Sequence, residues 1–331
     1  GIICSKASKE LKAFCEKAKI PLVHTLMGIG ALPSDSSYYV GMVGSHGHSF
    51  SNKIVAQADL LMIIGARVGD RATAGFQLVN EKLDIIHIDI DPAEIGKNID
   101  TTIPVVGDAK NILRQFIEKV QPLDTDNWMK EIDSLKENTA IKYSGMNTFV
   151  NPKEALKKLS SLVSPDTIFT ADVGQNQIWA ARNLEITDDR KFLTSGGLGT
   201  MGYSLPASIG AKLSAPDKNV VCLLGDGSFQ MSLGELATLC ESGLKVTILL
   251  FNNNRLGMVR ELQDVQVGKG KYFGVDFTGN PDFIKIAEAY GLKGIRVSSN
   301  EDLETAFETA LNDPCSYIVE CMVDPSIFST L

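Results

Sequence analysis

Two short runs carry the clearest chemistry in this sequence. Leu224-Gly225-Asp226-Gly227-Ser228 closes one apolar stretch, and Phe251-Asn252-Asn253-Asn254 closes the next. A carboxylate and a carboxamide oxygen are hard donors suited to Mg²⁺ or Ca²⁺, and Mg²⁺ keeps few protein ligands beside phosphate oxygens and water. Asn253 follows Asp226 by 27 residues (226 to 253), room for a helical crossover between parallel neighbours. Both side chains are then expected at one carboxyl edge of a sheet, where open α/β sheets bind ligands. Gly225 and Gly227 let the backbone approach a phosphate closely. A helix opening at Ser232, with the capping-box pattern Ser232-x-x-Glu235, would follow. A lone Gly-Asp-Gly reads as turn chemistry; the Asn pair at the end of the next strand favours a metal site.

The surrounding pattern supplies the elements that must hold these residues. Near-continuous apolar runs at 20–23, 60–64, 85–90 and 103–106, then at 167–170, 192–194, 220–224, 246–251 and 317–323, read as strands buried on both faces. Helical patterns lie between several of them: 5–17, a start at Asn151-Pro152, 232–241, a start at Asn280-Pro281 ending near Gly291, and 300–311. This alternation predicts parallel sheets covered by helices. A polar stretch at 122–151 reads as a linker with one surface helix. The fold class expected is α/β, two three-layer domains with mainly parallel sheets, spanning 1–140 and 141–331.

Composition narrows the function classes. The chain has 331 residues, 32 Lys+Arg against 40 Asp+Glu, and a pI near 5.2. No basic excess exists to neutralise phosphates, so no nucleic-acid partner is expected. No apolar run reaches the roughly 20 residues that span a bilayer, so no membrane partner is expected. The six cysteines form no CxxC pair and read as reduced, buried thiols of a cytoplasmic protein. All four histidines fall before residue 88 and none has zinc spacing. No GxSxG elbow is present, which argues against a hydrolase triad. The opening at Gly1 rather than Met suggests a piece of a longer protein.

Several runs together resemble one family, the large catalytic subunit of acetolactate (acetohydroxyacid) synthase, a thiamine-diphosphate enzyme. They are GDGSFQMSLGELATL (225–239), VTILLFNNNRLGMVRELQ (246–263), ADVGQNQIWAARN (171–183) and LTSGGLGTMGYSLPASIGA (193–211). TLMGIGALP (25–33), GMVGSHG (41–47), DLLMIIGARVGDR (59–71) and IIHIDIDPAEIGKN (85–98) extend the likeness over nearly the whole chain. The resemblance implies decarboxylation of pyruvate and transfer of the two-carbon unit to a second 2-ketoacid, pyruvate or 2-ketobutyrate, in branched-chain amino acid synthesis. It also implies a homodimer of catalytic subunits and a small regulatory subunit.

Site roles follow from the same resemblance. Asp226, Asn253 and the main-chain carbonyl of Arg255 would bind Mg²⁺. Val173, Gly174, Gln175, Asn176, Gly225, Gly227 and Ser228 would line the diphosphate, with Asn176 standing where relatives often carry His. Gly199 would meet the aminopyrimidine, Met201 would bend the cofactor, and Gly257 and Met258 would touch it; core packing is the bland alternative for Met201. Thr25, Leu26, His46, Gly65, Ala66, Arg67, Arg71, Asp89, Ile90 and Asp108 match FAD contacts. Against that, Arg67 and Arg71 could simply pair with Asp70 or Asp89, and Gly69 departs from the usual Asp. The family's catalytic Glu comes from an N-terminal domain of a partner subunit. The chain is therefore expected to be a fragment, inactive alone, with Leu262 where relatives often have Trp. Two alternatives stay open: a sister carboligase such as a sulfoacetaldehyde acetyltransferase, and a non-catalytic nucleotide-binding protein.

Overall fold

The computed structural model describes residues 1–75, 78, 83–138, 148–187 and 190–330. The chain forms two compact units, Gly1–Ile141 with Ile186–Asp188, and Lys142–Glu185 with Asp189–Leu331.

In the first unit, helix α1 (Ser8–Ala18) leads into strand β1 (Leu22–His24). Strand β2 (Tyr39–Met42), helix α2 (Ser49–Gln57) and strand β3 (Leu60–Ile64) follow. Strands β4 (Asp84–Asp89) and β5 (Ile103–Val106) precede helices α3 (Ala109–Lys119) and α4 (Asp126–Asn138). β1 pairs with β2, and β3, β4 and β5 form a second sheet in that order; every pairing is parallel. Leu11, Phe14 and Cys15 of α1 pack with Leu113 of α3 and Met62 and Ile64 of β3.

The stretch read as a linker does more than connect. Trp128, Met129, Ile132 and Leu135 recur at helical spacing, and Ile132, fully buried, packs them onto Val40 and Ile54. Its many charges hid that stripe. Residues 139–147, and with them the expected boundary at 140–141, lie outside the described residues.

The second unit opens with α5 (Pro152–Leu162), capped as expected by Asn151, whose Oδ1 accepts from Lys153 N at 2.9 Å. β6 (Ile168–Ala171), α6 (Gln175–Asn183), β7 (Lys191–Thr194) and α7 (Ser204–Ser214) follow. Next come β8 (Val220–Gly225), α8 (Asp226–Met231), α9 (Glu235–Glu241) and β9 (Thr247–Asn252). The last elements are α10 (Gly257–Gln266), α11 (Phe283–Ala289), β10 (Lys293–Val297), α12 (Leu303–Asn312) and β11 (Tyr317–Met322). One six-stranded parallel sheet runs in the order β10-β11-β9-β8-β6-β7. After β7 the chain crosses back past β6 to build β8, so the order reverses between β6 and β8. The carboxyl ends of strands at such a reversal are where open α/β sheets bind ligands.

Two helix starts differ from expectation. The helix expected at Ser232 begins at Glu235 without a side-chain cap, while Ser232 ends α8. α11 is capped by Asp282, whose Oδ1 accepts from Ile284 N and Lys285 N, and not by Asn280. No helix among the described residues is long and apolar enough to cross a membrane. Cys15, Cys222 and Cys321 are buried as expected; Cys4, Cys240 and Cys315 are exposed.

These arrangements yield two predictions for the first unit. Ile132→Ala empties a fully buried site and should lower stability by about 2–4 kcal/mol in urea unfolding. His24 is buried, with its rings stacked on Tyr39. Its Nδ1 bonds Thr25 O at 2.9 Å and its Nε2 bonds the Tyr39 hydroxyl at 2.7 Å. Burial lowers the imidazole from its ordinary 6.5 to about 4. A depressed folded-state pKa means the unfolded chain binds the proton better. The stability His24 contributes is therefore full above pH 6.5 and drains as pH falls toward 4. Between pH 7.5 and pH 5 the wild type should lose about 2 kcal/mol more than His24→Gln; equal losses would contradict the assignment.

Candidate functional site

Three neighbouring strand ends build the site. β8 and β9 pair Gly225 with Phe251, so Asp226 and Asn253 leave the sheet one and two residues beyond that pair. Both strands are buried throughout their apolar lengths, which fixes where their ends emerge.

Asp226 opens α8 and is 1% exposed. Burial raises its carboxyl to about 6, opposed chiefly by the hydrogen bond from Asn280 Nδ2 to Oδ2 at 2.7 Å. Among the described residues no Lys or Arg pairs with it. A buried carboxylate without a positive partner is unfavourable, and a bound cation would compensate it. Among the described residues no group of three His, Cys, Asp or Glu is placed to hold a metal. A cation here would rest on one carboxylate with neutral oxygens, a set that fits Mg²⁺ with phosphate.

The turn after β9 is tied by its own amides. Asn252 Oδ1 accepts from Asn254 N at 3.1 Å, and Asn253 Oδ1 accepts from Arg255 N at 3.1 Å. Asn254 adopts a left-handed conformation (φ 53°), which Asn tolerates better than most residues. Asn252 Nδ2 donates to Glu320 Oε1 at 2.7 Å, and Arg296 Nε donates to Glu320 Oε2 at 2.7 Å, anchoring the turn to β11 and β10. The Arg255 guanidinium bonds Asp276 and the Pro325 carbonyl, so only its backbone carbonyl can serve the site.

The loop after β6 forms the other wall. Asp172, fully buried, accepts from Val173 N (2.9 Å), Gly202 N (3.0 Å) and Ser204 N (2.7 Å). One carboxylate thereby joins the 172–176 loop to the loop that carries Gly199 and Met201. Burial still raises its pKa. Gly174 sits at φ 150°, where a Cβ would come within 2.6 Å of Asn176 Oδ1; at Gly225 a Cβ would come within 3.3 Å of the same atom. Asn176 Nδ2 donates to Asp172 O at 2.8 Å. Ser228 Oγ bonds both Gly225 N and Gly225 O at 3.1 Å. Glycine backbone at 174 and 225, beside the first turn of α6 and the Asn176 amide, is the kind of lining that suits a diphosphate.

Other expected residues fall into place unevenly. The Gln175 side chain is engaged elsewhere: Oε1 accepts from Asn253 Nδ2 at 2.8 Å, while Nε2 donates to Glu261 Oε1 and to Ile327 O at 2.7 Å. A Cβ on Gly257 would lie 1.8 Å from Gln175 Oε1, so this glycine makes room for the bracing amide. A Cβ on Gly227 would come within 2.9 Å of Leu256. Met258 and Met201 are half-buried, and Gly199 is exposed with φ 68°. Asp172 and Asn280 were missed by sequence reasoning. Asp172 lies within the 171–183 run, and Asn280-Pro281 reads in sequence as a helix start.

In the first unit, Gly65-Ala66-Arg67 follow β3, Asp89 ends β4 with Ile90 next, and Asp108 lies just beyond β5. Gly65 (φ 56°) closely approaches the backbone of Gly1. Asp89 Oδ1 accepts from Asp91 N and Asp108 Oδ1 from Asn111 N. Thr25 and Leu26 follow β1, and the loop before His46 joins Arg71 through Ser45 N to Arg71 O at 2.8 Å. Arg71 also pairs with Asp70 at 3.9 Å, the bland alternative weighed above.

Comparison with known proteins finds relatives for both units. Residues 172–321 match the family "Thiamine pyrophosphate enzyme, C-terminal TPP binding domain", and residues 1–116 match "Thiamine pyrophosphate enzyme, central domain". The probable acetolactate synthase large subunit of Methanocaldococcus jannaschii is 40% identical over 335 residues, covering 98% of this chain and 56% of that protein. That of Methanococcus aeolicus is 39% identical over 343 residues, covering 98% and 57%. The acetolactate synthase isozyme 2 large subunit of Escherichia coli is 36% identical over 324 residues, covering 98% and 58%. The chain thus spans a little over half the length of these relatives. With both of its units matched, the chain belongs to the thiamine pyrophosphate enzymes, as a homologue of acetolactate synthase large subunits.

Proposed function

We propose that the full-length protein carrying this chain is an acetolactate synthase. It decarboxylates pyruvate and transfers the two-carbon unit to a second 2-ketoacid, pyruvate or 2-ketobutyrate. The observation that carries the proposal is the buried, unpaired carboxylate of Asp226 at the end of β8, beside the Asn253 turn at the end of β9. Asp226, Asn253 Oδ1 and the Arg255 carbonyl would hold Mg²⁺. Gly174 to Asn176, Gly227 and Ser228 would face the diphosphate with backbone donors. When bound, thiamine diphosphate supplies the electron sink for decarboxylation. Asp172 fixes the loop of Gly199 and Met201 against the 172–176 loop, which orients the residues meant to meet the aminopyrimidine. The first unit would carry FAD at the ends of β3, β4 and β5. A homodimer, a small regulatory subunit and a cytoplasmic location belong to the same proposal.

Product analysis tests it directly. With thiamine diphosphate, Mg²⁺ and FAD supplied, the full-length protein should convert pyruvate to 2-acetolactate, and pyruvate with 2-ketobutyrate to 2-aceto-2-hydroxybutyrate; failure to form either refutes the proposal. Asp226→Ala should abolish Mg²⁺-dependent binding of thiamine diphosphate in calorimetric titration. Asp226→Asn separates binding from stability. A raised folded-state pKa means the stability this carboxyl adds is full below pH 3.8 and gone once pH rises through about 6. Without metal, Asp226→Asn should therefore be more stable than wild type by about 1–2 kcal/mol at pH 7.5, with no advantage near pH 4.

A further inference from the structure

We propose that Asn280 is a positioning residue for the cation site: it holds Asp226 and the turn after β9 in register with each other. The inference rests on the metal reading of Asp226 given above and concerns a residue that the reading did not include.

The geometry is specific. Asn280 Nδ2 lies 2.7 Å from Asp226 Oδ2 and 2.9 Å from Asn254 Oδ1, so its two hydrogens serve two different elements; Asn252 Oδ1 is a longer neighbour at 3.4 Å. Asn280 Oδ1 accepts from Gln230 Nε2 at 2.8 Å. That bond fixes which way the amide faces, leaving the nitrogen toward the carboxylate. Asp226 and Gln230 are four residues apart on α8 and share one helix face. One carboxamide therefore spans a full turn of α8 and reaches across to the turn that carries Asn253.

The segment bearing Asn280 is itself fixed. Pro281 restricts the Asn280 backbone to extended conformations. Asp282 caps α11 and pairs with Arg296 at 2.9 Å. Phe283, fully buried, packs on Phe229 of α8 with ring centroids 5.5 Å apart. An anchor this well held can set the angle at which Asp226 presents its oxygens. Mg²⁺ demands near-ideal octahedral geometry, whereas Ca²⁺ accepts looser and more numerous oxygen ligands. A residue that only supports the fold would weaken both cations alike when removed. One that sets ligand angle must weaken Mg²⁺ more.

Calorimetric titration of the full-length protein with Mg²⁺ or Ca²⁺, at fixed thiamine diphosphate, tests this. For Asn280→Ala the Mg²⁺ half-saturation should rise about tenfold or more, and that for Ca²⁺ by less than about threefold. Equal weakening of the two cations, or no change in either, overturns the positioning role. Should Asn280→Ala fail to fold by circular dichroism, Gln230→Ala frees the amide from its other side, at an exposed residue. It should raise the Mg²⁺ value by about threefold, with Ca²⁺ unmoved; an unchanged Mg²⁺ value overturns the role. Asp226→Ala distinguishes the two levels of inference. Cation dependence surviving in Asp226→Ala sinks the metal reading and this proposal together. Dependence lost there but unaltered in Asn280→Ala sinks the proposal alone.

Discussion

A carboxylate withdrawn from water, with no ion-pair partner among the described residues, sets the terms for the second unit. Asp226 is held 1% exposed by the buried strand that delivers it and by Phe229, fully buried three residues later. Among the described residues it is faced by neutral donors: the Asn280 amide and nearby backbone N–H groups. Such donors reduce the desolvation penalty without removing it. The chain thus holds an unfavourable charge at the carboxyl end of a parallel sheet, which a divalent cation would offset.

Everything around that charge serves to keep oxygen atoms in place. The turn after β9 is braced from two sides, by Glu320 with Arg296 below and by Gln175 beside it. Glu320 is itself a buried carboxylate, but one with a guanidinium partner. The contrast is informative. Asp172, another buried carboxylate of this unit, is met by three backbone N–H groups, whereas Asp226 has the Asn280 amide as its side-chain donor. α10 follows the same logic. It turns Arg260 inward onto the Ser326 and Ile327 carbonyls and Glu261 onto Ser329, while Leu262 and Val265 face solvent.

Much of this was legible in the sequence because parallel strands are buried on both faces and read as unbroken apolar runs. β8, β9 and β11 emerged close to where 220–224, 246–251 and 317–323 placed them, buried as expected; β3 and β5 emerged at 60–64 and 103–106 but, against expectation, leave Leu60, Ile103 and Val106 exposed. β2 and β10 did not, since Tyr39–Met42 and Lys293–Val297 interleave glycine or charge with apolar residues. α4 was obscured by charges flanking a genuine stripe. The strand-end pair of Asp226 and Asn253 was readable from spacing. Its supports were not, because Asn280 and Glu320 reach the site through tertiary packing that no local pattern records. Gln175 was read in its motif for the diphosphate; tertiary packing adds that its amide braces Asn253 and bonds the Ile327 carbonyl.

The Gly257–Gln175 contact carries a consequence for how this chain can drift. Every amino acid other than glycine would place a carbon where the Gln175 oxygen lies, displacing an amide that makes three hydrogen bonds. A side chain at position 257 therefore requires the Gln175 amide to swing away, so the two positions are coupled: a shorter residue at 175 opens room at 257, and a side chain at 257 costs the brace.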